Sequence, residues 1–213
     1  MKTLTKLAGI LILALSVNSG YSALTIVGSS QNSYNFALST GAVLPNGGVF
    51  QIGYYSTPLT TSYFSALATS SEFETGWTML ASSTDNAFGY DGLRSASIAL
   101  ATGVNTHEGK TLAMLVGNAG TISGSSEVGV FSNSAWIIPA NPTGITPGDF
   151  GADIFDDGTV AYFGSLNLGG GAYPLDGVEN SANLAVIIPE PSSASLLALG
   201  VAGLVALRVR RKS

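Results

Sequence analysis

Residues 111–138 read TLAMLVGNAGTISGSSEVGVFSNSAWII. Thr111–Val116 is a short apolar run, and Glu127–Phe131 and Ala135–Ile138 are two more. Asn118–Ser126 (NAGTISGSS), between the first two, consists mostly of turn-forming residues. Apolar runs of roughly 4–8 residues bounded by Gly, Asn and Ser read as strands, because a helix needs a longer periodic segment. The same pattern recurs on both sides. Upstream lie Leu24–Gly28, Tyr34–Leu38 and Val49–Tyr55, the last two separated by Pro45-Asn46-Gly47-Gly48. Asn and Gly tolerate positive φ, so that tetrapeptide predicts a turn. Downstream, Asp156-Asp157-Gly158 predicts a hairpin folding Ala152–Phe155 back onto Thr159–Ser165. Ala182–Ile188 is a final strand. Ser97–Ala101 fits strand and helix equally. One stretch departs from the pattern: Leu59–Phe73 places Leu59, Tyr63, Phe64 and Leu67 at helical spacing, which predicts one short helix. No repeat of solenoid or propeller length is present. Many short strands with Gly-rich turns therefore predict a mainly β single domain, a β-sandwich or jelly roll, with one short helix.

Charge divides the chain into three parts. Of 213 residues, 46% are hydrophobic and only 10% charged, against roughly 25% charged in an average soluble protein. Six of the eight basic residues lie in the end segments: Lys2, Lys6, Arg208, Arg210, Arg211 and Lys212. Between Ala23 and Ile188 only Arg94 and Lys110 face twelve acidic residues, a net charge of −10. So acidic a surface excludes nucleic-acid binding, which needs clustered Lys and Arg. It repels anionic lipid and attracts cations. The chain has no Cys, which excludes disulfides, thiol nucleophiles and Cys-based zinc sites.

The N-terminal segment has the order of a secretory signal. Lys2 and Lys6 precede an apolar run of eleven residues, Leu7–Val17 (LAGILILALSV). That length suits a signal helix and falls short of a bilayer core of roughly 30 Å. Gly20 and Ser22 place small side chains at −3 and −1, which favours cleavage after Ser22; cleavage after Ala23 would put bulky Tyr21 at −3. Residues 1–22 are thus read as a signal peptide and residues 23–188 as an acidic outer domain.

Residues 189–213 form the third part. Pro189-Glu190-Pro191 opens it, Ser192–Leu207 is an uncharged run of sixteen residues, and Arg208, Arg210, Arg211 and Lys212 close it. The two prolines lack an N–H and keep the peptide extended. Ser192 or Ser193 can cap a following helix. Sixteen helical residues span about 24 Å, and terminal Arg and Lys snorkel to the interface, so this segment is expected to be a transmembrane helix. The basic cluster predicts a cytoplasmic end, with the domain outside the inner membrane.

Pro-Glu-Pro, a short apolar helix and an Arg-rich end, in that order, resemble the PEP-CTERM sorting signal. The resemblance covers residues 189–213. It implies recognition by an exosortase, a membrane-embedded cysteine transpeptidase that cuts near the Pro-Glu-Pro element. Pro189, Glu190 and Pro191 would be the recognition element and the basic cluster the retention signal. The family occurs in bacteria of Gram-negative type that make exopolysaccharide, which makes that polymer a potential partner. An ordinary single-span anchor with a proline linker is the alternative. No Leu-Pro-x-Thr-Gly signal occurs, and a strongly basic end argues against a GPI signal.

Within the outer domain, candidate chemistry is thin. His107 is the single histidine, in the polar loop GVNTHEG, and no Gly-x-Ser-x-Gly elbow accompanies it. Glu72 and Glu74 lie two apart and would share a face of a strand, the minimal pattern for a carboxylate pair. Asp149, Asp153, Asp156 and Asp157 (DFGADIFDDG) are the strongest calcium candidates, since calcium takes several oxygen ligands. Their spacing does not match an EF-hand, and an Asp-Gly turn explains the same residues. Trp77, Trp136, Tyr54 and Tyr55 are potential sugar platforms, with core packing as the alternative. The expected function is a non-catalytic exported protein of the cell envelope or extracellular matrix, without catalytic residues or an obligatory cofactor. The alternatives are a carbohydrate- or calcium-binding module and a hydrolase.

Overall fold

A computed structural model describes residues 24–29, 35–87, 91–100, 105–140, 148–168 and 180–187. These residues form β1 (Leu24–Ser29), β2 (Asn35–Ala37), β3 (Phe50–Tyr55), α1 (Thr61–Ser65), β4 (Trp77–Ser83), β5 (Ser95–Leu100) and β6 (Thr111–Gly117). β7 (Glu127–Ile137), β8 (Gly148–Asp153), β9 (Val160–Phe163), β10 (Ser165–Leu168), β11 (Asn180–Asn183) and β12 (Ala185–Val186) follow. The domain is mainly β. The expected signal helix and transmembrane helix lie outside the described residues. Among the described residues no helix is long and apolar enough to cross a membrane.

The strands make three sheets. The largest has the order β12-β7-β6-β3-β4, with β9 also on β7. The others are β5-β1-β8 and β10-β11-β2. The run Leu112–Val116 is buried throughout because β6 is covered on both faces. Leu112, Met114 and Val116 join Phe50, Ile52 and Phe131 in a core that also contains Leu24 and Ile26 of β1, Phe36 of β2, Ala152 of β8 and Ala182 of β11. Ala113 and Leu115 point the other way, into a second cluster with Val128, Val130, Phe64 and Phe73. Period-two alternation thus feeds two cores from one continuous apolar run. The β5-β1-β8 sheet presses closely on the large one: a Cβ on Gly28 would meet the Ile52 side chain at 2.3 Å.

Several local expectations are corrected. The one short helix forms, but it covers only part of Leu59–Phe73. α1 starts at Thr60, whose side chain accepts the Tyr63 N–H, and ends with Ala66 as its C-cap. A separate 3-10 turn, Ser70–Glu74, follows. The Glu72 carboxylate accepts the N–H groups of Ala68 and Thr69 at 2.7 and 2.9 Å, so the chain restarts there instead of continuing. Glu127–Phe131 and Ala135–Ile137 are parts of the single strand β7, which ends one residue before Ile138 and pairs irregularly with β6 around Thr111–Ala113.

The Asp156-Asp157-Gly158 turn forms, with Gly158 at φ 86°, but it closes no hairpin. β8 runs parallel to β1, whereas β9 pairs with β7. The turn carries the chain between sheets. The expected strand Ala182–Ile188, whose Ile188 lies outside the described residues, likewise divides: β11 pairs with β10 and β2, and β12 pairs with β7. Thr159–Ser165 breaks at Gly164, so that β9 and β10 also belong to different sheets. The Pro45–Gly48 turn is present, with Gly47 at φ 89°, and β2 and β3 on either side of it lie in separate sheets. Of Ser97–Ala101, the residues up to Leu100 are strand, within β5, and Ala101 lies outside the described residues. β4 was unexpected because its sequence, WTMLASS, has no clean alternation; its register against β3 shifts between Ile52 and Gly53.

Candidate functional site

His107 sits half-buried where Asn105 organises the loop before β6. The Asn105 side chain accepts the His107 N–H at 3.0 Å and donates to the Pro139 carbonyl at 2.8 Å. The imidazole Nδ1 lies 3.0 Å from the Tyr54 hydroxyl. The histidine partner is therefore a tyrosine, not a serine nucleophile or an orienting aspartate. Glu72 and Glu74 lie in a 3-10 turn and not in a strand. Glu72 is held in its backbone turn, and its two backbone N–H partners hold its carboxyl below the ordinary range.

The aspartates are also used structurally. Asp156 Oδ2 accepts the Trp136 indole N–H at 2.7 Å and the Asp153 N–H at 3.1 Å. Asp153 Oδ1 accepts the Phe155 N–H at 3.0 Å. Asp157 is exposed and contributes its backbone carbonyl to Asn133 Nδ2 at 2.9 Å. Asp149 lies on β8, and its side chain lies outside the described residues. Among the described residues no three His, Cys, Asp or Glu converge in a metal-like group.

The aromatic residues are mainly core. Trp136 is 3% exposed. Trp77 packs on Tyr55 with ring centroids 4.8 Å apart and donates to Gln51 Oε1 at 2.8 Å. The Tyr55 hydroxyl donates to the Phe73 carbonyl at 2.6 Å. Burial first, then Tyr63 and Glu74, push its ionisation well above the ordinary tyrosine range.

Tyr55, a candidate platform in the sequence, and several residues overlooked there line a cleft of about 430 Å³. It opens where β3 ends beside the start of β6. Tyr55 and the 56–59 loop form one side; Lys110, Thr111, Ser134 and Tyr162 contribute to the others. The available signal was the rarity of Lys110, one of two basic residues in an acidic domain. The other, Arg94, is fully buried.

Pro189, Glu190, Pro191 and the basic cluster Arg208, Arg210, Arg211 and Lys212 lie outside the described residues. They are nevertheless covered by a sequence match. Residues 188–212 carry a PEP-CTERM protein-sorting motif. This motif implies sorting to the cell envelope by an exosortase system, through a membrane-anchored precursor. No curated protein and no solved structure matches the chain. The PEP-CTERM motif thus gives a destination for the molecule and leaves the chemistry of the β domain to its own residues.

Proposed function

We propose that the chain is a non-catalytic exported protein. Residues 1–22 direct export, residues 23–188 form the outer domain, and residues 189–213 hold the precursor in the inner membrane until an exosortase cuts near Pro189–Pro191. The PEP-CTERM match at residues 188–212 carries this reading. The side chains nearest to catalytic patterns support it, because His107 is engaged by Tyr54 and Glu72 by its own turn. We read the domain as a β-sandwich variant, from the two small sheets sharing one core with the face of the large one. The mature protein then belongs to the envelope or extracellular matrix, with exopolysaccharide as its surroundings.

The test replaces Pro189, Glu190 and Pro191 together by Ala in the producing bacterium. An uncut, membrane-bound form is expected by immunoblot of fractionated cells. Processing at the wild-type rate would sink the recognition role of these residues. Replacing the four terminal basic residues by Ser should instead weaken retention and orientation of the precursor.

A further inference from the structure

The cleft at Lys110 is unlike the rest of this acidic surface. No Asp or Glu is among its lining residues. Lys110 is exposed, and its ammonium makes no ion pair or side-chain hydrogen bond with the described residues. Ser56, Thr57, Thr111 and Ser134 are among the lining residues, and none of their hydroxyls is hydrogen-bonded to another described residue. Tyr162 adds a half-buried aromatic side chain. The volume of about 430 Å³ falls within the roughly 300–1,000 Å³ of small-molecule sites.

Each element selects for one part of a ligand. A single cation complements one negative charge. Ser and Thr hydroxyls both donate to and accept from a hydroxylated partner. An aromatic side chain offers an apolar surface. A phosphate dianion is better served by several cations or a helix N-terminus, which this cleft does not combine. We propose that the cleft binds a polyhydroxylated carboxylate, a sugar acid of uronate type, with Lys110 facing the carboxylate. The ring hydroxyls meet Ser56, Thr57, Thr111 and Ser134. This site stands independently of the sorting segment, so either reading can fail alone.

The experiment uses the full chain in detergent and titrates glucuronate, glucose and inorganic phosphate, read by calorimetry and by chemical shifts of labelled tyrosine. Saturable glucuronate binding is expected, with glucose weaker by about tenfold, the usual value of one charge-assisted hydrogen bond. Phosphate should not saturate. Lys110→Met should lower glucuronate affinity by about tenfold with glucose unchanged, and Lys110→Arg should retain most of it. Ser134→Trp, at an exposed strand position, should block both sugars. Melting curves identify any variant that fails to fold, and Lys110→Arg and Ser134→Trp provide the second and third arms. Equal affinity for glucose and glucuronate, tighter phosphate binding, an unaffected Lys110→Met variant, or no binding by any probe would each overturn the assignment.

Discussion

Arg94 shows how one residue organises a loop that local turn chemistry alone does not place. Its guanidinium donates to the carbonyls of Gly48, Leu93 and Pro45 at 3.3, 3.1 and 2.6 Å and also contacts Asn86 Oδ1. Burial lowers its proton affinity, while Asp91 and Asp85 oppose that shift. Arginine nevertheless stays charged and offers a rigid fork that lysine lacks. Its partners on Pro45 and Gly48 pin both ends of the turn before β3. Arg94→Met should cost roughly 2 kcal/mol, because it removes charge-assisted hydrogen bonds and takes this donor from the carbonyl of buried Gly48, whereas the Pro45 and Leu93 carbonyls keep the N–H groups of Gly48 and Ala87. Arg94→Lys should recover only part of this. Urea unfolding followed by tryptophan fluorescence measures both, and equal stability of all three proteins would remove the pinning role. Glu72 gives a pH-dependent case. Its folded pKa is depressed below the ordinary 4.5 because the backbone N–H groups of Thr69 and Ala68 bind the ionised form. The stability it adds is therefore complete above about pH 4.5 and lost as pH falls through the depressed folded value. The melting difference between wild type and Glu72→Ala should be largest near neutrality and close in acid. A difference independent of pH would mean that the side chain acts without its charge.

At the scale of elements, sequence reading succeeded where a strand carries its own pattern and failed where a sheet assigns its partner. β1, β3 and β6 were legible because Leu24–Gly28, Val49–Tyr55 and Thr111–Val116 are apolar runs with turn residues at their ends. The Asp156–Gly158 turn was legible as a turn, but its strands belong to different sheets, and no local residue encodes that choice. The same holds for the sorting motif and the cleft. Pro189–Pro191 are contiguous, whereas Ser56, Lys110, Ser134 and Tyr162 meet only after β3, β6, β7 and β9 have paired. Gly164 is where the sheet-to-sheet crossing is most constrained. It has φ 98°, and an added Cβ would lie 2.3 Å from the Asn183 carbonyl oxygen. Gly158 has φ 86° but nothing nearer than 3.8 Å to such a Cβ. Gly158→Ala should thus cost about 1 kcal/mol from backbone strain alone. Gly164→Ala should cost roughly 3 kcal/mol, because the clash adds to the strain. Equal losses in chemical unfolding would show that the close approach of β9–β10 to β11 is not what demands glycine there.

For the whole molecule, the decisive question is where the fold ends relative to the sorting segment. β12 ends at Val186, Ile187 packs on the second core, and Leu184 and Ala182 belong to the first. The PEP-CTERM match begins at residue 188. A cut near Pro189–Pro191 therefore falls just beyond the last residue that contributes to either core among those described. Under the proposed processing, a cut at that position would remove no buried side chain among the described residues. A chain ending at Ile187 should accordingly keep the melting midpoint of the full chain, to within about 2 °C in the same detergent. It should also leave the membrane fraction. A chain ending at Glu179 should behave differently, since it loses β11, β12 and the buried Ala182 and Leu184. Losing large buried side chains costs several kcal/mol in total, on the order of the stability of a small domain, so cooperative melting should disappear. If the shorter chain melts like the longer one, the last two strands are dispensable to the cores. If the chain ending at Ile187 itself melts much lower, the anchor supports the fold, and processing must weaken the domain that it releases.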